Sequence, residues 1–493
     1  MPFLDRLQHW ARVQPEATAL EVAADRLSFA ELRDRATALA AAHAHAHADA
    51  DPGGRRPPTV LCLPNGVEFA VGFAAAVAGD GVCAVLDPEW TDAQRAAVED
   101  RLRRLGAVGG AAEPTGGVAG ADPGNGLRDG PGDSVFLLGF TSGTTSLPKA
   151  FTRSRSSWQH SFAHGTGFFD LTRDDRTLAP GPLSSSLTLF ALAESLHAGA
   201  AFFALPTFDV GAAIACVTEK RITRIVAVPA ALRLICERAL STGADGSSLT
   251  GIVSAGAKLD AATRALIRRW APHATSYEYY GAAELSFVAA SALRPGEESA
   301  QGAGTSGTAV GRALPGVDIR IRDDDGRELS GEVPGTIFVR SALVSDGYTW
   351  GDDGEAFRRD GDWCTVGDQG FLDADAVLHH LGRRADMVVA AGHNVYPHEV
   401  ELVLQDVPGV RTVIVTGLPD PRRGTRLVAA VIGSEAADAA GLRSAGASLL
   451  PAPKRPRAYF SLAEPPLTAA GKISRRMLTD WIVEGDDRVR PLD

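Results

Sequence analysis

The sequence predicts an α/β protein in two parts. The first is a large N-terminal domain of βαβ-built sheets with a β-rich subdomain, and the second is a small, mobile α+β C-terminal domain. Three observations predict it. The chain has 493 residues, more than one hydrophobic core organises. Through the first three quarters, apolar runs of strand length alternate with runs of helical periodicity. From about Thr308 the pattern changes to short strands separated by Asp-Gly and Pro-Gly turns, and after Arg383 to short alternating units with helices between them. The division expected is 1–383 and 384–493.

In order, 59–63 (TVLCL) reads as a buried strand and 67–78 as the helix after it. Residues 134–140 (SVFLLGF) form a strand, and 224–228 another, followed by the helical ALRLICERAL. A short strand at 252–254 leads into LDAATRALIRRW, an amphipathic helix starting at Leu259–Asp260. Residues 275–280 return as a strand. This alternation implies covered parallel sheets. The Gly/Pro/Asp-rich stretch 110–132 reads as a surface loop.

Composition excludes several functions. Net charge is −11, which leaves no bulk cation to neutralise a nucleic acid. The longest apolar run, around Phe73–Leu86, is broken by Asp80, so no membrane span is expected. The N-terminus carries charge from Asp5 and lacks a signal-peptide core, which predicts a cytoplasmic protein. Five cysteines sit far apart without a CxxC pair, arguing against zinc or a disulfide framework. His43, His45 and His47 lie in an Ala-rich run that reads as an exposed helix end or loop rather than a metal site. Five of the 49 basic residues are lysine: Lys149, Lys220, Lys258, Lys454 and Lys472. In so arginine-rich a chain, a lysine in a glycine-rich loop points to a use for a compact, mobile charge.

That loop is 139–150 (GFTSGTTSLPKA). Glycines let backbone N–H groups approach an anion, and the hydroxyls of Thr141, Ser142, Thr144 and Thr145 add donors, with Gly143 between them and Lys149 at the end. It lacks the Gly-Lys-Ser/Thr of a Walker A loop. Ser146 and Lys149 match the S-x-x-K of serine acyl enzymes, but no Lys-Thr-Gly strand accompanies them. The reading is a phosphate cradle that directly follows a buried strand.

Further segments follow in a fixed order. They are YYGAAE, which ends a strand on Glu284, GDQG around Asp368, GRRAD from Gly382, and PLTAAGKI around Lys472. With GTSGTAVGRALPGVDIRI, SGEVPGTIFV and AAGHNVYPHEVE in their expected places, the chain resembles the adenylate-forming superfamily of acyl-CoA synthetases, adenylation domains and luciferases. The resemblance covers nearly the whole length.

The resemblance implies an enzyme that joins a carboxylate to ATP, releases pyrophosphate, and transfers the acyl group from AMP to a thiol. It implies that the 141–149 loop holds the β- and γ-phosphates, chiefly through Thr144, Thr145 and Lys149. Glu284 would hold Mg²⁺, which suits a hard oxygen ligand. Asp368 would accept hydrogen bonds from the ribose hydroxyls, and Arg383 would approach the ribose or phosphates. Gly256, Ala257 and Tyr279 would line the adenine slot, the Tyr279 ring stacking, with Tyr280, Gly281 and Ala283 completing that motif. Lys472 would bridge the acid and the α-phosphate. The C-terminal domain would turn about a hinge at Ala385 and Asp386.

Three positions depart from the family pattern. Ser146 replaces a glycine, Ala283 replaces a threonine that would touch the α-phosphate, and Ala385 stands at the usual Asp or Lys hinge position. The resemblance places the acid-pocket wall at 178–200, where Ser184, Ser185 and Ser186 stand in place of a histidine. The alternative reading is that the same serines cap the following helix. No acid occurs in this stretch before Glu194, which disfavours an α-amino acid. The acid is expected to be aryl or small to medium acyl. The thiol would be CoA or a phosphopantetheine carrier acting in trans, with Lys454, Arg455 and Arg457 either facing it or simply solvated. Two alternatives remain open. One is a relative that adenylates nitrite and acts on an aryl amine, and the other is a non-catalytic AMP-binding regulator, which an intact Lys472 argues against. The sequence leaves oligomeric state open.

Overall fold

A computed structural model describes residues 3–50, 57–105, 127–141, 148–297, 308–352, 354, 357–390, 393–420, 424–433, 437–466 and 473–492, with backbone alone at 46–50, 385, 394 and 424. The larger sheet has a parallel centre in the spatial order Ala201–Ala204, Arg176–Ala179, Arg224–Ala227, Gly251–Ser254 and Thr275–Ala282. Every residue of Arg224–Ala227 and Gly251–Ser254 is buried, as parallel strands covered on both faces require. Ser286–Leu293 pairs antiparallel with Thr275–Ala282 and turns the sheet toward the β-rich segment. There Ala309–Ala313, Val377–Arg383, Asp368–Leu372, Gly335–Ser341 and Val317–Arg322 follow in spatial order.

A second sheet begins with Thr59–Leu61, Cys83–Val85 and Val135–Thr141 in parallel. Lys149–Ser154 and then Gly347–Trp350 extend it antiparallel. Phe69, Phe73, Phe136, Trp158 and Phe162 belong to the main core; Phe136, Phe162 and Phe73 all pack on the Trp158 ring, at 5.1, 5.8 and 6.5 Å between centroids.

The expected elements end within two residues of the observed ones: Thr59–Leu61, Val67–Ala76, Val135–Thr141, Pro229–Thr242 and Ala261–Trp270. Asp260 caps the last of these, accepting from the Thr263 N–H at 2.7 Å, so the helix starts where its short acid can satisfy a free donor. Residues 110–126 of the expected loop lie outside the described residues. The His-rich stretch continues the helix Phe29–Ala50.

After the 3₁₀ turn Arg384–Asp386, the chain builds a separate core. Val395, Val400, Leu404, Val413, Leu427 and Leu442 are among its members, all drawn from residues after 387. It packs helices Pro397–Leu404 and Ala439–Leu449 on the sheet Val410–Asp420, Gly424–Gly433, Ala458–Leu462 and Val489–Leu492. Among the described residues no helix is long and apolar enough to cross a membrane.

Candidate active site

The phosphate-loop candidate is held at both stems. Val135–Thr141 and Lys149–Ser154 are antiparallel neighbours with Thr141 opposite Lys149. The Trp350 Nε1–H donates to the Pro148 carbonyl at 3.0 Å. Gly351, at φ +81°, passes so close that a Cβ there would sit 2.9 Å from Lys149 Cγ. A side chain would push the lysine stem away. Lys149 Nζ stands 6.0 Å from the Tyr348 ring centroid. Ser142, Gly143, Thr144, Thr145 and Ser146 lie outside the described residues.

Glu284 faces this hairpin. It is buried and accepts a short hydrogen bond from the Tyr348 hydroxyl. That hydroxyl is also 3.1 Å from Thr141 Oγ1, so Thr141, Tyr348 and Glu284 form one chain. Burial and then the Glu284 charge raise the Tyr348 hydroxyl above its ordinary range, which keeps it a donor at neutral pH. Sequence reading missed Tyr348. Its only local signal is an aromatic in a four-residue strand, and its partners lie 64 and 207 residues away.

Beneath Glu284 sits Arg153, only 3% exposed. Its guanidinium donates to the Ala283 carbonyl at 2.5 Å and to the Leu343 carbonyl. Burial lowers it to about 10, with the Glu284 and Asp346 charges opposing. It therefore remains a cation at neutral pH. It ties the turn carrying Glu284 to the segment leading into Tyr348.

A second group centres on Asp368. Asp368 opposes Arg383 across the strand pair Asp368–Leu372 and Val377–Arg383. The Tyr280 hydroxyl donates to Asp368 Oδ2 at 2.7 Å. His380 Nε2 is 3.4 Å from the same oxygen, and Arg383 Nε is 3.5 Å from Oδ1. Burial opposes ionisation of Asp368, but the neighbouring His380 and Arg383 hold its carboxyl below the usual range. Asp368 Oδ1 and His380 Nε2 are buried without a hydrogen-bond partner, and such atoms call for a ligand or water. Partial desolvation opposes the charge on Arg383, whose side chain is 65% exposed, yet Asp368, Glu284, Asp386 and Tyr348 together raise it. Arg383 therefore links the two groups electrostatically.

The structure differs from the sequence reading at Tyr279. Alternation puts Tyr279 and Tyr280 on opposite faces of Thr275–Ala282. Tyr280 faces Asp368 and lies 4.8 Å from the His380 ring. Tyr279 turns the other way, its ring 4.7 Å from Phe287 and 5.9 Å from Phe169. Of the two rings, Tyr280 is the one beside Asp368. Gly256 and Ala257 are exposed at the end of Gly251–Ser254. The next residue, Lys258, is clamped to Glu278 at 3.0 Å, which Arg264 also binds at 2.7 Å. Gly281 lies in the strand Thr275–Ala282, and Ala283 opens the turn that carries Glu284.

Among the serines, Ser185 caps the helix Ser186–Ala198 by accepting from the Thr188 N–H. Its hydroxyl donates to the Pro182 carbonyl at 2.8 Å. The capping alternative therefore holds for Ser185, while Ser184 is half-buried and Ser186 exposed. Asn65, unnoticed in the sequence, fixes this turn through the Gly181 carbonyl at 3.0 Å and the Leu183 N–H at 2.7 Å. At the hinge candidate, Asp386 lies 3.7 Å from Arg475, and Arg384 pairs with Asp324 at 2.9 Å. Lys472 lies outside the described residues, three positions before the helix Arg475–Glu484.

Among the described residues no cluster of metal-ligating side chains forms. A single buried carboxylate suits a Mg²⁺ ion that takes its remaining ligands from phosphate and water.

The family model for AMP-binding enzymes matches residues 7–108 and 107–349, and that for the AMP-binding enzyme C-terminal domain matches 399–472. An uncharacterized acyl–CoA ligase of Bacillus subtilis (strain 168) is 32% identical over 71% of this chain and 69% of its own length. The indoleacetate–CoA ligase of Aromatoleum aromaticum is 32% identical over 69% of this chain and 66% of its own length. The amide bond synthetase McbA of Marinactinospora thermotolerans superposes with a TM-score of 0.78 at 26% identity, covering 97% of this chain and 99% of that one.

Proposed function

Because the chain belongs to the AMP-binding enzyme family, we propose that it is an ATP-dependent, AMP-forming acid–thiol ligase. It adenylates an aryl or small-to-medium acyl carboxylic acid and passes the acyl group to a thiol in trans, either CoA or a phosphopantetheine carrier. The observation that carries this reading is the buried Asp368 carboxylate, one oxygen of which accepts no hydrogen bond from the protein. Held ionised and acceptor-only, it suits a vicinal diol such as ribose.

In the first step a substrate carboxylate oxygen bonds to the α-phosphorus and the bond to pyrophosphate breaks. Two anions must meet, so cations and fixed donors around that phosphorus lower the barrier. The 141–149 loop and Lys149 hold the β- and γ-phosphates. Glu284, positioned by Tyr348 and Arg153, would hold Mg²⁺, which when bound supplies charge neutralisation at the phosphates. Asp368 and Arg383 fix the ribose. Gly256 and Ala257 border the adenine, and Tyr280 rather than Tyr279 supplies the flanking ring. Lys472 bridges acid and α-phosphate. In the second step a thiol sulfur attacks the acyl carbonyl and AMP leaves. Residues 384–493 are read as a lid that turns about Ala385 and Asp386 between the steps, since hinges concentrate backbone change in few residues.

Pyrophosphate exchange into ATP over a panel of aryl and acyl acids tests the reading. Nitrite with an aryl amine serves as the competing arm. Exchange with no acid, or exchange with nitrite alone, overturns it.

Tyr348→Phe removes the link between Thr141 and Glu284 while keeping the ring. The expected loss is about tenfold in kcat/KM for ATP, close to the worth of one hydrogen bond to a charged group, with a lowered melting midpoint because buried Glu284 loses a donor. Asp368→Asn is expected to raise KM for ATP about thirtyfold, since it loses an ionised acceptor. The folded pKa of Asp368 is depressed, so its ionised form persists below the pH at which an ordinary aspartate protonates. It is lost only as pH falls through the lowered folded value. KM for ATP should therefore stay flat from pH 8 to about pH 5, where an ordinary carboxylate is still ionised.

A further inference from the structure

Two buried charges have no part in the chemistry described so far. Glu194 and Arg224 are 3% and 4% exposed and meet through a single contact at 3.3 Å. Glu194 Oε1, Arg224 Nε and Arg224 Nη1 have no hydrogen-bond partner. A buried ion pair is stable only when its remaining lone pairs and protons are also satisfied. This pair is left half-satisfied.

Its surroundings are aromatic. Glu194 lies on the helix Ser186–Ala198, on the stripe of Ser186 and Phe190 at successive steps of four residues. It is eight residues, or about 12 Å, along the axis from Ser186. The Gly165 backbone passes directly beside the Glu194 carboxylate, so that a Cβ there would come within 2.5 Å of Oε1. Arg224 rises from the facing sheet with its guanidinium 5.4 Å from the Phe169 ring centroid. Phe287, three residues beyond Glu284, contacts Tyr279 at 4.7 Å and Phe190 at 5.1 Å. A cluster of packed aromatic rings thus runs from the turn carrying Glu284 to the ion pair.

We propose that the Glu194–Arg224 pair is the floor of the acid pocket and selects an aromatic acid bearing a hydroxyl at the end remote from its carboxylate. The unpartnered atoms are one acceptor and two donors, so the ligand group must both donate and accept. A hydroxyl does both. An ammonium would face Arg224 and a second carboxylate would face Glu194, each at a like-charge cost. The lining of Phe169, Tyr279, Phe190 and Phe287 favours a flat ring between the two ends. That the ligand is an acid rests on the adenylation reading above.

The test is pyrophosphate exchange by the full chain with benzoate, phenylacetate and cinnamate, each against its para-hydroxy counterpart. At least one hydroxy acid is expected to exceed its parent by tenfold or more in kcat/KM, the worth of hydrogen bonds to charged groups. In Glu194→Leu/Arg224→Leu that ratio should fall to about one. Glu194→Gln, which keeps the side-chain volume, should lower it at least threefold. Wild-type ratios all below about threefold overturn the proposal without any variant, as does a ratio that Glu194→Gln leaves unchanged. Exchange with no acid at all would instead fell the adenylation reading. The pocket is then judged by calorimetric binding of the same pairs, where a wild type that does not favour a hydroxy acid overturns it.

Discussion

Lys472→Ala is expected to reduce pyrophosphate exchange about a thousandfold while the dissociation constant for ATP changes by less than about threefold. Removing one preorganised group that stabilises developing charge typically costs 10²–10³ in rate, roughly 3–4 kcal/mol. Lys472 sits at the upper end because it would offset repulsion between two anions, the acid and the α-phosphate. ATP binding is expected to survive because the proposed mechanism assigns it to the 141–149 loop, Asp368 and Glu284 instead. Lys472→Arg should restore little, since a planar fork cannot take the place of a point charge between two oxyanions. Thioester formation from a supplied acyl-adenylate should persist in the alanine variant, which separates a lost catalytic group from a misfolded protein. Full exchange by Lys472→Ala would remove the role assigned to it.

The parts of the site legible in the sequence are those in which local chemistry and local structure coincide. Val135–Thr141 is an apolar run, and its loop carries its own donors. Asp368 follows a glycine at a tight turn. Asp260 caps a helix three residues before its bonding partner. The missed parts depend on register and distance. Tyr279 and Tyr280 are adjacent and chemically alike, and only pairing with Ser286–Leu293 decides which of them faces Asp368. Tyr348 gains meaning when Gly347–Trp350 docks beside Lys149–Ser154, about two hundred residues from it in sequence. Ser185 has a polar side chain in a pocket-wall segment, yet its hydroxyl is used locally in a helix cap. Glu194 and Arg224 each look like an ordinary surface charge until the fold buries both.

Arg153 marks the same limit and supports the second large expectation. In sequence it sits in a strand of mixed polarity, KAFTRS, and in the fold it lies under the metal-site candidate. Arg153→Met keeps most of the aliphatic volume but leaves the Ala283 and Leu343 carbonyls without their donor. It also withdraws the positive charge facing Glu284 and Asp346. Breaking one side of a buried charged network costs about 3–5 kcal/mol, so the midpoint of denaturant unfolding should fall by an amount measurable at equilibrium. Adenylation should fall as well, by about a hundredfold, because the Glu284 turn loses its tie to the segment leading into Tyr348. A displacement of about 1 Å at a catalytic group is enough for such a loss. The two effects separate on titrating Mg²⁺: a displaced Glu284 raises the Mg²⁺ concentration needed for half-maximal exchange, whereas simple destabilisation lowers the active fraction at every concentration alike. Arg153→Lys should recover stability only in part, since one ammonium does not span two carbonyls as a guanidinium does. An unchanged Mg²⁺ dependence in a folded Arg153→Met protein would show that Glu284 is positioned by something else.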